Sequence, residues 1–286
     1  MAPPNEAHFR EKPRKSSRSA PGQRVICITA AQRAGTTALQ YALKDAGVVN
    51  FGEVFHNEPL EESIGSFLSF ARTHDLRITD VSTRSATAAV AERYLDWLRE
   101  TAAPRDLLID VKLNSWFALS PWWQYSRSEP VFLNRLKNAR AVIVFIWREN
   151  LADQLLSQFI AREVGVWHNL TPAKIAGRTF KAPIEWLKGL ARQVVDAEID
   201  MLNHLRDYPA KIVVRYEDLF DHGFLSAAFC ASFANVTGIA LAADTPVAIR
   251  QTAIQKPDTI ENYEEVISAI RPLAENRLRG KMGPGS

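Results

Sequence analysis

A short loop near the start of the chain carries residues that could bind an anion. Arg33, Gly35, Thr36 and Thr37 follow an apolar run, Val25–Ile28, and precede apolar residues at helical spacing. This order predicts a buried strand, a tight loop and a helix. Because the N-terminus of a helix presents unpaired N–H groups and the positive end of its dipole, we expect the loop to bind a phosphate. A strand–turn–helix with solvated polar residues is the alternative.

The loop lacks the signature of a P-loop that binds nucleoside triphosphates. That signature is G-x-x-x-x-G-K-[ST], in which the lysine reaches the β- and γ-phosphates. Aligning its second glycine with Gly35 places Ala30 at the first glycine and Thr36 at the lysine. The missing lysine argues against an ATPase or a kinase, and it leaves a kinase with a degenerate loop as an alternative function.

Apolar strands alternate with helical patterns along the rest of the chain. Further strands are predicted over 48–51, 107–111, 141–147 and 212–214. Helices are predicted over roughly 62–74, 86–101, 132–136, 151–164, 183–205, 225–237 and 260–273. This alternation predicts an α/β fold with three layers, in which helices flank a central, mainly parallel sheet on both faces.

Polar side chains follow the ends of several predicted strands. They are Arg33, Glu53, Lys112, Arg148 and Glu217. In sheets of this class, ligands bind beyond the carboxyl ends of the strands. We therefore expect these side chains, which are far apart in the sequence, to come together at one edge of the sheet.

The N-terminal residues differ in composition from the rest of the chain. Residues 1–24 carry six basic and two acidic side chains, which leaves a net charge of −1 for the remainder of a chain whose total is +3. Because the chain after residue 24 has no excess positive charge, a nucleic-acid partner is not expected. We expect a disordered basic tail over 1–22, a single α/β domain over 23–279 and a flexible tail over 280–286.

Both cysteines lie in apolar patterns. Cys27 falls in the first predicted strand and Cys230 in a predicted helix, so both are expected in the core, and a cytoplasmic compartment is the default. The sequence has no apolar run of about 20 residues, which a transmembrane segment would need. No cluster of histidines and cysteines has the spacing of metal ligands, so no metal is expected.

Several segments resemble motifs of sulfotransferases that use 3′-phosphoadenosine 5′-phosphosulfate (PAPS). Gln32–Thr37 resembles their 5′-phosphosulfate loop, [KR]-[SA]-G-[ST]-T, at the same turn from strand to helix. Phe145–Ser157 resembles their 3′-phosphate motif, an arginine at a strand end and a serine on the next helix. Its continuation through Gly165–His168 resembles the bacterial trehalose 2-sulfotransferase-like branch, and Tyr216–Leu219 also fits many members.

This resemblance implies a P-loop-like fold and an enzyme that moves a sulfuryl group from PAPS to a hydroxyl. It implies a carbohydrate or a glycolipid as the acceptor and, by analogy, a homodimer. A module that binds a nucleotide without catalysis is a further alternative.

The resemblance also assigns residues to the donor. Arg33 and the backbone N–H groups from Ala34 to Thr37 would hold the 5′-phosphate, and Arg33 could follow the transferring group. Arg148 and Ser157 would hold the 3′-phosphate, since a guanidinium pairs bidentately with phosphate. Lys256 would close over the nucleotide. The alternative for Ser157 is an ordinary serine on a helix surface.

The acceptor side is assigned in the same way. Glu53 is the expected general base and acceptor contact, and the nearby His56 is its rival. Lys112 would face the sulfuryl group or the acceptor, while Trp167 and His168 would line the acceptor site. A solvated glutamate, a packed histidine, a lysine that ends a strand and a core tryptophan are the corresponding structural alternatives.

Overall fold

The computed structural model describes residues 22–56, 65–119, 128–166, 177–242 and 256–281. Most of the predicted tails, 1–22 and 280–286, lies outside these ranges, and so do Trp167 and His168.

Five parallel strands form a central sheet in the order β2-β3-β1-β4-β5. The strands are β1 (Val25–Ala30), β2 (Val49–Glu53), β3 (Leu107–Lys112), β4 (Val142–Trp147) and β5 (Lys211–Arg215). Both β1 and β3 are buried along their whole length, as expected for parallel strands that are covered on two faces. The predicted parallel sheet is confirmed.

Helices connect and cover these strands. They are α1 (Thr36–Asp45), α2 (Phe67–Thr73), α3 (Arg84–Ala102), α4 (Val131–Asn138), α5 (Leu151–Val164), α6 (Ile184–Leu205), α7 (Tyr216–Leu219), α8 (Ala227–Thr237), α9 (Lys256–Thr259) and α10 (Tyr263–Lys281). Short 3₁₀ turns lie at Ile78–Val81 and Leu113–Ser115, and the strands β6 (Phe220–Asp221) and β7 (Phe224–Leu225) form a small hairpin. Among the helices of the described ranges, none has both the length and the apolar character needed to cross a membrane.

The apolar side chains form separate clusters on the two faces of the sheet. From β1, Val25 and Cys27 point towards the side covered by α3 and α4, whereas Ile26 and Ile28 point towards α1 and α8. A third cluster lies among α5, α6 and α10. The three-layer α/β fold predicted from the sequence is thus confirmed, and both cysteines are buried as expected.

The turn after β5 contains elements that the sequence did not predict. The short helix α7 and the hairpin β6–β7 follow β5 directly. Elements of two to four residues are too short to show a hydrophobic period, which explains why the pattern did not predict them. Their position matters, because α7 places Tyr216 and Glu217 at the carboxyl edge of the sheet.

A β-bulge in β2 determines the face on which Glu53 lies. Asn50 pairs with Leu108 and Glu53 pairs with Asp110, so three residues of β2 advance along two residues of β3. The extra residue is accommodated by Gly52, which has a φ of 64°. Side chains alternate along a strand, and without the extra residue Glu53 would lie on the face opposite Asn50. The bulge places Glu53 on the same face as Asp110.

We expect Gly52→Ala to lower the free energy of unfolding by about 1 kcal/mol, because left-handed backbone disfavours residues with a Cβ. The matched control is Gly189→Ala within α6, where a helical backbone favours alanine and the expected effect is a gain of about 0.5–1 kcal/mol. Apart from the chain neighbours and the backbone of α6 itself, no heavy atom lies within 4 Å of the new Cβ at either position, so the two sites differ mainly in their backbone conformation. Urea unfolding measures both, and equal effects of the same sign would contradict the bulge geometry.

Candidate active site

The loop between β1 and α1 is bent by two residues with positive φ. Arg33 has a φ of 63° and Gly35 a φ of 78°. A Cβ on Gly35 would lie 2.4 Å from the ring of Tyr216, so glycine is required by the close approach as well as by the backbone. Gly35 is also the N-cap of α1 and has no side chain that could accept from the first N–H groups of the helix. The first N–H groups of α1 can therefore donate to a bound anion, as predicted for a loop of this kind.

Tyr216 separates this loop from the loop that follows β4. Its side chain is buried, its ring packs edge-on against Phe220, and the guanidinium carbon of Arg148 lies 4.7 Å from its centroid. A cation over an aromatic face is stabilised by the ring quadrupole. Tyr216 thus contacts Gly35 on one side and Arg148 on the other. The sequence motif included Tyr216, but nothing in the sequence indicated that its ring would support both loops.

Glu217 holds the loop after β4. Its carboxylate accepts the backbone N–H of Glu149 at 2.9 Å and that of Asn150 at 3.3 Å. Arg148, at the start of this loop, directs Nη1 to the backbone carbonyl of Arg33 at 3.4 Å. The structure therefore brings together the two loops that were predicted to bind the two ends of a nucleotide, and Glu217 positions one of them.

Three cationic side chains, Arg33, Arg148 and Lys256, form what we call the cation cluster. Burial lowers the pKa of Arg33, and the charge of Arg148 lowers it further. Burial also lowers the pKa of Lys256 despite its hydrogen bond with Asp153, and the charges of Arg148 and Arg33 add to that shift. These shifts reflect the loss of hydration first and the repulsion among like charges second. A bound anion would relieve that repulsion.

Asp153 is in direct contact with the cation cluster. Its Oδ2 accepts from Arg148 Nη2 and its Oδ1 accepts from Lys256 Nζ. Ser157 is half-buried and lies four residues further along α5, hence on the same face of that helix. Its part in binding a phosphate stays a prediction.

Gln154 links α5 to the loop after β1. It is almost fully buried, and its Nε2 donates to the carbonyl of Gln32 at 2.8 Å. Gln154 lies within the segment that resembles the 3′-phosphate motif, but sequence analysis assigned it no role in the site. A polar side chain in the middle of an apolar helical pattern was the signal that could have revealed it.

A second polar group, which we call the Lys112 network, lies at the ends of β2 and β3. Lys112 is buried, and its Nζ lies 2.5 Å from Thr36 Oγ1, 2.6 Å from Asp110 Oδ2 and 3.4 Å from Glu53 Oε1. Lys112 therefore connects the expected base, Glu53, to the first residue of α1. A buried and paired lysine is compatible with the alternative of a capped lysine at the end of a strand, and its contact with a sulfuryl group or an acceptor stays a prediction.

Asp110 completes the Lys112 network. Its side chain is fully buried, and burial raises its pKa, while the nearby Lys112 acts to lower it and Glu53 to raise it. Gln40 donates to Asp110 Oδ2 at 2.7 Å, and Asn50 approaches the Gln40 amide oxygen at 3.4 Å. Sequence analysis did not select Asp110, although a carboxylate inside an otherwise apolar strand is a signal for a buried charge pair.

His56 lies close to Glu53 at the same edge of the sheet. Its backbone N–H donates to the Glu53 carbonyl at 3.4 Å, and the residue is half-exposed. The structure thus brings both candidate bases to the same edge of the sheet, and Glu53 contacts Lys112. Over the described ranges, no group of three or more His, Cys, Asp or Glu residues is placed to hold a metal ion.

We expect Tyr216→Leu to weaken the binding of inorganic sulfate, because leucine removes the aromatic face beneath Arg148. The loss should be about 1 kcal/mol, or about fivefold in affinity. The matched control, Tyr216→Phe, keeps the ring and should bind sulfate like the wild type. Calorimetric titration at constant ionic strength gives the sulfate affinity of each folded variant. Unchanged sulfate affinity in Tyr216→Leu would show that the ring does not support the site.

The likeness of this chain to known proteins lies in its structure. No protein-family model and no curated protein matches the chain. Among solved structures, the sulfotransferase domain from the Synechococcus PCC 7002 olefin synthase is similar, with a TM-score of 0.39 and 15% sequence identity. The alignment covers 92% of this chain and 91% of that one.

Proposed function

We propose that this protein is a sulfotransferase that moves a sulfuryl group from PAPS to a hydroxyl of a carbohydrate or glycolipid. One observation carries the proposal: the loops after β1 and β4 meet through Arg33, Arg148 and Tyr216. They form one site with the cation cluster. The proposal rests on these residues and on their resemblance to the sulfotransferase motifs.

The residues of the site fit a nucleotide that carries separate phosphates at its 5′ and 3′ positions. Arg33 and the N–H groups at the start of α1 suit the 5′-phosphate, because backbone donors and a helix N-terminus favour an anion. Arg148, Lys256 and Ser157 suit the 3′-phosphate, since guanidinium and ammonium groups form strong hydrogen bonds with phosphate oxygens. Nucleoside triphosphates lack this second phosphate, so the pair of loops favours PAPS over ATP.

The Lys112 network supplies the residues for the transfer itself. The acceptor oxygen forms a bond to sulfur while the bond from sulfur to the 5′-phosphate oxygen breaks, and the acceptor proton passes to the carboxylate of Glu53. The ammonium group of Lys112, beside Thr36 and Glu53, is placed to stabilise negative charge that develops between donor and acceptor. Asp110 balances the charge of Lys112 and fixes its position.

The assignment of a sugar acceptor has a different basis. It follows from the resemblance to the trehalose-type branch and from Trp167 and His168, which we propose line the acceptor site. A tryptophan ring can stack on the apolar face of a sugar, and a histidine can form a hydrogen bond with its hydroxyls.

The donor site makes a direct prediction about binding. We expect the protein to bind 3′-phosphoadenosine 5′-phosphate at least about tenfold more tightly than adenosine 5′-phosphate, since a charge-assisted pair contributes roughly 1.5–3 kcal/mol. Arg148→Ala should lower this preference several-fold, while Lys256 and Ser157 remain to bind the 3′-phosphate. The matched control is Arg215→Ala, which removes the same charge from a more exposed side chain that pairs with Asp218 and Glu149 outside the cluster.

Calorimetric titration of the wild type and both variants measures these affinities. Saturable, Mg²⁺-dependent binding of ATP without a preference for the 3′-phosphate would favour the degenerate-loop kinase instead.

The identity of the base is tested by turnover. We expect Glu53→Gln to lower kcat by about 10²–10⁴-fold, because the amide cannot accept the proton. Affinity for 3′-phosphoadenosine 5′-phosphate should remain, since Lys112 keeps its pair with Asp110. His56→Asn is the comparison and should have the smaller effect on kcat.

Transfer of radiolabelled sulfate from PAPS to a panel of glycans and glycolipids measures both variants. A large loss in His56→Asn alone would identify His56 as the base, and normal turnover in both variants would refute the assignment of either residue. Wild-type protein that binds the nucleotide but sulfates nothing in the panel would point to a binding module.

A further inference from the structure

The cation cluster is in contact with a carboxylate of the protein itself, that of Asp153. Asp153 accepts from Arg148 with one carboxylate oxygen and from Lys256 with the other. It therefore joins two side chains that come from different parts of the chain, one after β4 and one on α9. This arrangement matches what a phosphate oxyanion would do with the same two cations.

The space around this contact is limited. The exposed fractions of the side chains are 13% for Arg148, 15% for Lys256 and 21% for Asp153. The ring of Tyr216 covers one face of the Arg148 guanidinium, and the carbonyl of Arg33 lies at Nη1. A phosphate that binds both cations must then approach at Nη2, where Asp153 lies.

We infer that Asp153 is a displaceable carboxylate that occupies the place of the 3′-phosphate until the nucleotide binds. This inference rests on the proposed donor site and goes beyond it, because it assigns Asp153 a role that opposes binding. The carboxylate carries one negative charge, whereas a phosphate monoester carries between about 1.5 and 2 at neutral pH. A phosphate can therefore displace Asp153 from the cluster, whereas a singly charged anion gains little from the exchange.

The contact of the Asp153 carboxylate with the cation cluster has two consequences for the proposed enzyme. The carboxylate offsets part of the positive charge of Arg148 and Lys256 when no nucleotide is bound, which limits the repulsion within the cation cluster. It also competes with the 3′-phosphate of the product, 3′-phosphoadenosine 5′-phosphate, and so favours release of the product after transfer. The competition thus lowers the affinity for nucleotides that carry a 3′-phosphate.

A purely structural role for Asp153 predicts the opposite result. If the carboxylate only orients Arg148 and Lys256 for the phosphate, then removing its charge should weaken nucleotide binding. If it competes with the phosphate, removing its charge should strengthen binding. The sign of the change in affinity therefore separates the two roles.

The test compares two ligands in one set of variants. We expect Asp153→Asn and Asp153→Ser to bind 3′-phosphoadenosine 5′-phosphate about fivefold more tightly than the wild type, which corresponds to about 1 kcal/mol. Adenosine 5′-phosphate has no 3′-phosphate, so its affinity should change less than about twofold. Asp153→Glu retains the charge and should bind both ligands like the wild type. Calorimetric titration at one fixed salt concentration measures all affinities.

Glu149→Gln is the matched control. It removes one negative charge close to the site, but the Glu149 carboxylate pairs with Arg215 and not with the cation cluster. It should leave the affinities for both nucleotides unchanged. A comparable gain in Glu149→Gln would attribute the effect to net charge and overturn the role of Asp153.

The use of two ligands provides a control for any loss of stability in the variants. Asp153 lies in the first turn of α5, where a carboxylate interacts favourably with the helix dipole, and its loss can lower stability. The ratio of the two affinities within one variant is not affected by such a loss. Weaker or unchanged binding of 3′-phosphoadenosine 5′-phosphate in both neutral variants would overturn the inference. Failure of the wild type to distinguish the two nucleotides would overturn the donor site itself, and this role with it.

Discussion

The ring of Tyr216 sets the distance between the two loops on which the candidate site depends. One side of the ring approaches Gly35 so closely that a Cβ would lie 2.4 Å away, and its face lies 4.7 Å from the guanidinium carbon of Arg148. An aromatic ring packed on several sides cannot be compressed, so the two loops have one preferred spacing. The proposed binding of a ligand with two anionic groups depends on this spacing.

The two polar groups at this edge of the sheet differ in how their charge is balanced. In the Lys112 network, Asp110 and Glu53 lie beside a single buried ammonium group. The cation cluster instead sets three positive side chains against Asp153, and the pKa values of Arg33 and Lys256 are lowered first by burial and further by the neighbouring positive charges. The first group is suited to holding reacting atoms in place, and the second to attracting a multiply charged ligand.

Small irregularities of the backbone position the side chains of the Lys112 network and of the cation cluster. The bulge at Gly52 turns Glu53 towards Lys112, and the positive φ values of Arg33 and Gly35 bend the loop that leads into α1. The regular α/β architecture hosts many functions, so it does not itself indicate an activity. The proposed chemistry depends on the irregular positions, where the strands end and the side chains change face.

The sequence alone determined the strands, the long helices and the residues of the two loops, including Arg33, Gly35 and Arg148. Hydrophobic period and strand ends are local properties, so they can be read from neighbouring residues. The tertiary structure alone decided that Lys112 meets Thr36, that Tyr216 lies beneath Gly35, and that Asp153 contacts Lys256, 103 residues away. These contacts depend on strand order, on a bulge and on the packing of distant segments. No local pattern carries that information, because the free energy of such contacts arises only when the segments are brought together.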